Sequence, residues 1–214
     1  MIAPTKPLND GGSIPAIGLG TFGMTGELGI AAVVSGIQTG YRLLDTGLRY
    51  ENEREVGEGM RRSGIDRGEL MVTTKLRGRD HGYEETLRGF EESRANLGLD
   101  YVDLYVIHWP LPRYDRYVDS WRAMIHLRDE GLIRSIGLHP QFPQAAQLAA
   151  DESLGIVTES WSPLADQRSG LTSHPVIVTV ARAHHVTPSQ AVLRWHLQRG
   201  AVPIPKSSNP ERQR

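Results

Sequence analysis

Four residues of this sequence have side chains that could do chemistry together, and the first two stand close together in the chain. Asp45 ends a short apolar run, Leu43 and Leu44, and Tyr50 follows five residues later in a loop rich in Gly, Arg and Glu. A carboxylate at the C-terminal end of a strand and a phenol in the next loop can both point into one cleft. Each also has a purely structural interpretation, Asp45 as the cap of a turn and Tyr50 as a surface aromatic.

The same position at a strand end recurs twice further along the chain. Lys75 ends the apolar run 70–75, and His108 ends the run 101–108, which is rich in β-branched and aromatic residues. In a βα barrel the C-terminal ends of all strands open on one face, where the chemistry of such proteins takes place. A snorkelling lysine or a core histidine would explain either residue alone. Three ionisable residues that leave three successive strands, however, would converge in one mouth, which favours a site.

The elements that must position these residues alternate along the chain. Strand starts near 42, 71, 103 and 133 recur at about the length of one βα unit, which indicates parallel strands covered by helices. Further strands are predicted at Ile133–Gly137, Ile156–Ser160 and Val202–Ile204, and a hairpin at Leu8–Ile17. Helices are predicted from Asn52 onward and at Glu27–Thr39, Tyr83–Leu97, Tyr117–Asp129, Gln144–Leu154, Val176–His185 and Ser189–Arg199.

Composition bounds the classes of function. The 214 residues suffice for one domain, and 39% hydrophobic with 23% charged residues is typical of a soluble globular protein. A net charge of −1 argues against nucleic acid and membranes as partners. Cysteine is absent, which excludes disulfides, thiolate metal sites and cysteine nucleophiles. With no apolar run of membrane-spanning length and no signal-peptide core at the start, we expect a cytoplasmic protein.

The residues Gly18, Gly20 and Gly23 literally match G-x-G-x-x-G, the dinucleotide fingerprint of a doubly wound sheet. Two details argue against that interpretation. Thr25 and Gly26 stand between the last glycine and the helical pattern, and the strand before the first glycine is short and contains a proline. A Rossmann-type dehydrogenase remains an alternative. It predicts that cofactor binding depends on these glycines.

A series of separated motifs then occurs in order along the whole chain. They are GLGTF at 18–22, LDT at 44–46, TKL at 74–76, YVDL at 101–104, HWP at 108–110, RSIG at 134–137, WSPL at 161–164, VLRW at 192–195 and IPKS at 204–207. In these motifs the chain resembles the aldo-keto reductases, particularly the prokaryotic branch that includes the 2,5-diketo-gluconate reductases. The resemblance implies a (β/α)8 TIM barrel with an N-terminal β-hairpin, formed by residues 1–214 as a single domain.

The resemblance implies a catalytic tetrad of Asp45, Tyr50, Lys75 and His108. Reduction of a carbonyl by a nicotinamide needs a hydride and a proton for the developing alkoxide. Tyr50 would be the acid, and the Lys75 ammonium beside it should lower the pKa of the phenol. Asp45 would hold Lys75 in place. His108 would donate to the carbonyl oxygen and stabilise its charge.

The cofactor and substrate residues are implied in the same way. The ring of Trp161 would stack on the nicotinamide. Lys206, Ser207 and Arg212 would bind an adenosine 2′-phosphate, which implies NADPH rather than NADH; a basic surface tail is the alternative. Four further residues match cofactor-contacting positions, namely Gly20, Thr21, Ser162 and Leu164. The substrate is expected to be a small-molecule carbonyl compound bound by a monomer, with apolar walls from Phe22, Leu48 and Trp109.

The chain departs from the family after Gly137. Relatives continue there with Val-Ser-Asn, a helix and a sixth strand carrying Asn-Gln, whose amides hold the nicotinamide carboxamide, whereas here Leu138 follows directly. Seven barrel strands are recognisable where closure needs eight. We therefore expect residues to be missing between Gly137 and Leu138, with a Cα separation well beyond the roughly 3.8 Å of a trans peptide. The family's C-terminal tail is also expected to be missing after Arg214.

Three questions stay open at this level. Arg77 stands where many relatives have an aromatic residue, and it either faces an anionic or bulky substrate or points to solvent. A noncatalytic relative that binds NADPH as a sensor or accessory subunit is a second alternative, against which the complete tetrad argues. A metal-dependent barrel hydrolase is a third. The spacing of the remaining histidines gives it no convincing ligand set, so no metal is expected; they are His81, His126, His139, His174, His184 and His185.

Overall fold

The structure is a computed structural model that describes residues 3–138, 153–165 and 169–214. Strands β1 to β9 are Thr5–Pro7, Ser13–Pro15, Leu19–Gly20, Leu43–Asp45, Met71–Leu76, Val102–Ile107, Ile133–Leu138, Glu159–Ser160 and Val202–Pro203. Helices α1 to α6 are Gly26–Thr39, Glu53–Ser63, Tyr83–Leu97, Tyr117–Asp129, Pro175–Ala183 and Pro188–Gln198. These elements alternate as predicted, but most of the predicted helix from Gln144 to Leu154 lies outside the described residues.

The strands after the hairpin form one curved parallel series. β1 and β2 pair antiparallel, as predicted for the N-terminal hairpin. β3 to β7 follow one another in a five-stranded parallel sheet, and β8 pairs parallel with β9. Backbone bonds join the two sheets, because Gly18 N donates to Pro203 O at 3.1 Å and Gly20 N donates to Pro205 O at 3.0 Å. Within the described residues, seven parallel strands therefore follow the arc of a barrel from β8 through β9 and β3 to β7.

Local sequence explains where the helices begin and end. Thr187 caps α6, with its hydroxyl accepting from Gln190 N while the Gln190 side chain accepts from Thr187 N, and Pro188 takes the first helical position. Gly64 and Gly98 end α2 and α3 in the left-handed conformation, at φ of 73° and 67°, which glycine adopts without steric cost. The start of α6 and the ends of α2 and α3 are therefore set by residues that adjoin them in the sequence.

The core lies on both faces of the sheet. Between the sheet and helices α1 to α4 lies a large apolar cluster that includes Leu44, Val72, Phe90 and Tyr105. The barrel interior near the hairpin holds a second, smaller cluster of Ile14, Leu43, Val202 and Ile204. Strands buried on both faces explain why the chain has nearly continuous apolar runs there rather than alternation.

The glycines of the GLGTFG run serve the barrel rather than a dinucleotide turn. A Cβ on Gly18 would lie 2.7 Å from Leu43 Cγ, and one on Gly20 would lie 2.8 Å from the backbone oxygen of Ile204. Both residues therefore have to be small where β3 packs against its neighbours in the interior. The helix that follows begins only at Gly26, so the residues do not form the turn that the Rossmann alternative requires.

Strand β7 runs without interruption through Gly137 and Leu138, where missing residues are expected from the sequence. Gly137 and Leu138 are consecutive in β7 and pair in register with Val106 and Ile107 of β6. Pairing between β7 and β8, which would close the barrel, is not found within the described ranges. In the same part of the chain, no helix is long and apolar enough to cross a membrane.

Candidate active site

Three of the four predicted catalytic side chains meet at the C-terminal ends of β4 and β5. The Lys75 ammonium donates to Asp45 Oδ2 at 2.5 Å, to the backbone oxygen of Thr46 at 2.7 Å and to Tyr50 Oη at 3.2 Å. Asp45 and Lys75 are buried, and Tyr50 is partly exposed. The acid, the amine and the phenol thus form one hydrogen-bonded chain that leads from the barrel interior to its mouth.

His108 joins this group from the next strand. Its ring centroid lies 5.7 Å from that of Tyr50 at an angle of 80°. The backbone N–H of His108 donates to Leu76 O at 3.2 Å, which continues the pairing of β6 with β5 beyond the last strand residue. The imidazole and the phenol therefore stand side by side at the barrel mouth, as the sequence predicted.

The loop that carries Tyr50 is held by backbone contacts and by Asn52. Residues Leu48–Tyr50 form one 3₁₀ turn, which ends at Glu51 with a left-handed φ of 56°. The buried Asn52 amide nitrogen donates to Thr21 O at 2.7 Å and to Met24 O at 3.0 Å, and its oxygen accepts from Thr46 Oγ1 at 3.3 Å. Asn52 therefore ties the loop after β3 to the loop after β4, a role that no sequence pattern indicates.

Burial dominates the electrostatics of the site. It raises the pKa of Asp45, although the charge and hydrogen bond of Lys75 act in the opposite direction. Burial disfavours the Lys75 ammonium as well, but the interactions with Asp45, Tyr50 and Glu159 more than offset this effect, so the pKa of Lys75 is raised. Lys75 is therefore the cation of the site.

The pKa of Tyr50 differs from the expectation. Burial raises it above the usual value for a phenol, and the neighbouring Lys75 ammonium offsets only part of that effect. The lowering that the sequence analysis expected from Lys75 is present as a contribution but is outweighed. The resting phenol is therefore protonated at neutral pH and can serve as a proton donor.

A fifth ionisable residue, missed by the sequence analysis, belongs to this cluster. Glu159 in β8 carries a buried Oε1. Burial, followed by the charge of Asp45, raises the pKa of this carboxyl to about 8, against the opposing effects of the Lys75 charge and a hydrogen bond with Thr73. A signal for it was available, because Glu159 is the acid in the otherwise neutral predicted strand 156–160.

The residues predicted to hold the nicotinamide follow β8. Trp161 is 61% exposed, and the next residue, Ser162, adopts a left-handed φ of 44°, an unusual conformation for a residue other than glycine. Ala165 N donates to Ser162 O at 2.8 Å, which closes the turn, and Leu164 is half-buried beside it. A cavity of about 1920 Å³ is lined by 158–163 together with residues of α5 and α6. Tyr50, Lys75 and His108 are not among the residues that line this cavity, whereas Glu159 is.

The other predicted cofactor residues divide into two groups. Gly20 and Thr21 are buried, and both the N–H and the hydroxyl of Thr21 donate to Asp45 O at 3.0 Å, so Thr21 uses its polar groups within the fold. Lys206 and Arg212 are exposed after β9, and neither makes an ion pair with the described residues. Ser207 lies between them, half-buried, with its hydroxyl accepting from Asn209 N at 3.2 Å. Residues after Asn209 form a turn.

The three residues predicted to form the substrate walls differ in their exposure. Phe22 is 66% exposed and its ring meets that of Tyr50 edge to face at 5.2 Å, while Trp109 is partly exposed beside His108 at 5.5 Å between centroids. Leu48 is only 3% exposed and borders an outer cleft instead, so it offers almost no surface to a substrate.

Arg77 also points away from the mouth. Its Nε donates to Asp80 Oδ2 at 2.6 Å, and its two terminal nitrogens donate to the Glu92 carboxylate at 3.2 and 2.6 Å. The guanidinium thus braces the loop after β5 against α3. Arg77 is paired within the protein and is not directed at a substrate. Among the described residues, no group of three His, Cys, Asp or Glu side chains is arranged to hold a metal ion.

Comparison with known proteins gives consistent matches. A sequence profile of the Aldo/keto reductase family matches residues 16–160. A similar protein, 2,5-diketo-D-gluconic acid reductase B of Corynebacterium, is 47% identical over 237 residues, covering 99% of this chain and 85% of the relative. Because that alignment is longer than the 214-residue chain, the relative has additional residues within the aligned range.

Solved structures agree in fold. An aldo/keto reductase from Brucella melitensis superposes with a TM-score of 0.92 at 38% identity, covering 99% of this chain and 91% of the other. The aldo-keto reductase of Bombyx mori, crystallised in complex with NADP, superposes with a TM-score of 0.89 at 31% identity, covering 100% and 86%. The parallel strands described above thus belong to a (β/α)8 barrel.

Proposed function

This chain belongs to the aldo/keto reductase family and is an NADPH-dependent oxidoreductase of carbonyl groups, and we propose that Tyr50 supplies the proton in this reaction. The observation that carries the assignment is the Lys75 ammonium, which contacts the Asp45 carboxylate and the Tyr50 hydroxyl at once. A phenol beside a buried cation can lose its proton to a developing alkoxide, because the phenolate that remains is stabilised by the ammonium.

The proposed reaction distributes its steps among the four side chains. When bound, NADPH supplies the hydride that the carbonyl carbon accepts. The Tyr50 hydroxyl gives its proton to the carbonyl oxygen, which completes the alcohol, and Lys75 stabilises the phenolate until a proton from water replaces the one lost. Asp45 holds the ammonium in place. His108, beside the phenol, orients the carbonyl oxygen and stabilises its developing charge.

The chain offers suitable chemistry at both ends of the cofactor. The exposed ring of Trp161 is a flat apolar surface on which a nicotinamide can stack, and the turn through Ser162 and Leu164 holds that ring at the end of β8. Lys206 and Arg212 are cations without ion-pair partners among the described residues, and a 2′-phosphate would pair with them beside Ser207. Gly20 and Thr21 support the site by positioning β3 against Asp45.

The additional residues of the relatives have a proposed place as well. We place them between Gly137 and Leu138, where a helix and the strand with the carboxamide-binding amides would close the barrel between β7 and β8. Residues 1–214 then form one barrel domain that lacks these amides and binds the nicotinamide less tightly. Insertion of the corresponding segment of the Corynebacterium relative should raise both thermal stability and NADPH affinity. Unchanged values in a folded insertion variant would contradict this assignment.

The decisive test of function is Tyr50→Phe. The wild type should oxidise NADPH with a reactive aldehyde, and the variant should lose about 10²- to 10⁴-fold in kcat, the usual contribution of a general acid. NADPH binding, measured by quenching of tryptophan fluorescence, should be unchanged. A wild type that binds NADPH but never turns over would instead favour a sensor or accessory subunit. A panel of aldehydes, keto acids and diketo sugars, assayed with both cofactors, would define the substrate class.

We also propose that the enzyme is a cytoplasmic monomer. The net charge is close to neutral, and the tetrad is assembled entirely from residues of one chain. Sedimentation equilibrium should give a single species near 23.7 kDa. A stable dimer at micromolar concentration would refute the monomer.

A further inference from the structure

A glutamine in the segment after β9 is buried although the residues beside it are not. Gln213 is 3% exposed, whereas Arg212 and Arg214 are both exposed. Its side-chain amide nitrogen donates to Ala32 O in the middle of α1 at 3.0 Å. The same nitrogen donates to Ser207 O at 2.8 Å. One amide group, called the Gln213 bridge below, therefore joins the segment after β9 to itself and to α1.

The two contacts fix the orientation of this amide. Both partners are backbone carbonyl oxygens, which accept hydrogen bonds, so only the NH₂ group of Gln213 can face them. The Gln213 Oε1 is buried and has no hydrogen-bond partner among the described residues. A buried acceptor without a partner costs free energy, which an apolar side chain in the same place would avoid. The two N–H contacts are therefore what a glutamine contributes at this position.

The Gln213 bridge closes the segment that carries the proposed phosphate ligands. It links Ser207 to Gln213. Lys206 directly precedes the first of these residues and Arg212 directly precedes the second. Inside the segment, Asn209 N donates to Ser207 Oγ at 3.2 Å and Asn209 O accepts from Gln213 N at 3.2 Å. Each of the two exposed cations is therefore one residue away from an end of the same side-chain bridge.

We propose that Gln213 is a positioning residue for cofactor selection: its buried amide holds Lys206 and Arg212 in the arrangement that a 2′-phosphate needs. The proposal rests on the assignment of these two cations to NADPH. Cations in a loose segment have to be ordered when the phosphate binds, and that ordering reduces affinity. A segment already tied to α1 has less freedom to lose. Because NADH lacks the 2′-phosphate, the gain in affinity is confined to NADPH.

A purely structural glutamine would have a different effect. Loss of a contact that only supports the fold would lower the Tm, and any loss of affinity would be shared by both cofactors. Loss of a contact that positions the cations changes the ratio of the NADH and NADPH dissociation constants. It should leave kcat at saturating NADPH unchanged, because the side-chain hydrogen bonds of Gln213 within the described ranges go to α1 and to Ser207, not to the tetrad.

The test compares Gln213→Met with the wild type. Methionine keeps the length of the side chain but has no N–H to donate. We expect the Kd of NADPH, measured by quenching of tryptophan fluorescence, to rise about 3- to 10-fold, the effect of ordering one or two side chains. The Kd of NADH and the kcat at saturating NADPH should stay at their wild-type values. The exposed Gln38→Met in α1 is the matched control and should change neither affinity.

A second comparison shows whether Gln213 acts through the cations. In a protein that carries both Lys206→Ala and Arg212→Ala, Gln213→Met should cause no further loss of NADPH affinity, because the side chains that it positions are gone. A full additional loss would show that Gln213 contributes independently of the cations and would overturn the proposal.

Limited proteolysis examines the Gln213 bridge in the protein without cofactor. Trypsin cleaves after lysine and arginine where the backbone can open locally, and the rate follows the population of the open form. Cleavage after Lys206 and Arg212, followed by mass spectrometry, should be about 3- to 10-fold faster in Gln213→Met. Cleavage after the exposed Arg199 should keep its wild-type rate and serves as the internal reference.

The proposal fails if a folded Gln213→Met protein keeps the wild-type ratio of the two Kd values, or if its cleavage after Lys206 is no faster. Should Gln213→Met fail to fold, Gln213→Ala lacks the same N–H group and serves in the same comparisons. If Lys206→Ala and Arg212→Ala leave NADPH affinity unchanged, the assignment of the phosphate site fails and this proposal fails with it. A wild type that binds NADPH but reduces no carbonyl compound would refute the proposed function alone, since the Kd ratio and the proteolysis need no turnover.

Discussion

The Lys75 ammonium lies 3.2 Å from the Tyr50 hydroxyl while it also donates to Asp45 and to the backbone of Thr46. An ammonium has three hydrogens, and these contacts use all of them. Its orientation is therefore set by the fold, and the phenol faces a cation that has no alternative partner to turn to.

We predict that Lys75→Met loses both activity and stability. Without the ammonium the Tyr50 phenolate is no longer stabilised, so kcat should fall by about 10²-fold or more. The buried Asp45 carboxylate is left without its cation, which should cost about 3–5 kcal/mol of unfolding free energy. Urea unfolding and steady-state kinetics measure the two effects separately.

The double variant Asp45→Asn with Lys75→Met separates these effects. Removal of both charges should restore much of the lost stability, because no uncompensated charge stays buried, while activity should stay low. Recovery of activity in the double variant would show that Lys75 contributes only to folding.

The raised pKa of Tyr50 predicts the pH dependence of the reaction. Reduction requires the protonated phenol, so its kcat should not be limited by deprotonation of Tyr50 below about pH 10. Oxidation of the alcohol requires the phenolate, so its kcat should increase as pH rises toward the pKa of Tyr50. For stability, an acid whose folded pKa lies above its unfolded value of 10.0 has no effect below that value and destabilises as pH rises through the folded pKa. A reduction rate that already falls near neutral pH through titration of Tyr50 would contradict this.

The preference for NADPH should depend on Lys206 and Arg212. Replacement of either by alanine should weaken NADPH binding about tenfold while leaving NADH affinity nearly unchanged, because only the 2′-phosphate distinguishes the cofactors. Fluorescence titration with both cofactors provides the measurement, and the exposed Arg199→Ala is the control. Equal losses of affinity for NADPH and NADH would show that these cations contact a part of the cofactor that both share. No loss of affinity at all would favour a basic surface tail.

Arg77→Ala should alter stability rather than substrate choice. The Arg77 side chain is 14% exposed and bridges Asp80 and Glu92, so its loss should cost about 1 kcal/mol of unfolding free energy. The ratio of kcat/KM for a keto acid to that for a neutral aldehyde should stay the same. Arg79→Ala, whose guanidinium is largely exposed, should have no effect on either quantity. A selective loss of activity toward keto acids would place Arg77 in the substrate pocket after all.

The sequence by itself determined the alternation of strands and helices and the positions of Asp45, Lys75 and His108 at successive strand ends. Apolar runs of strand length, each ending in an ionisable residue, suffice for this because parallel strands of a βα barrel present their C-terminal ends on one face. Tyr83–Leu97 and Tyr117–Asp129 even coincide with the observed helices at both ends. These are local properties, and local residues decide them.

Only the tertiary structure decided how the groups act on one another. The sequence predicted that Lys75 lowers the pKa of Tyr50, but the depth at which the fold buries the phenol makes desolvation the larger effect. The sequence left open whether Arg77 faces a substrate or solvent. In the structure its guanidinium pairs with Asp80 and Glu92. For Glu159 the sequence showed an acid in a predicted strand, but the burial of its Oε1 depends on how β8 packs in the fold. Burial and charge-charge distances depend on residues remote in sequence, so no local pattern can determine them.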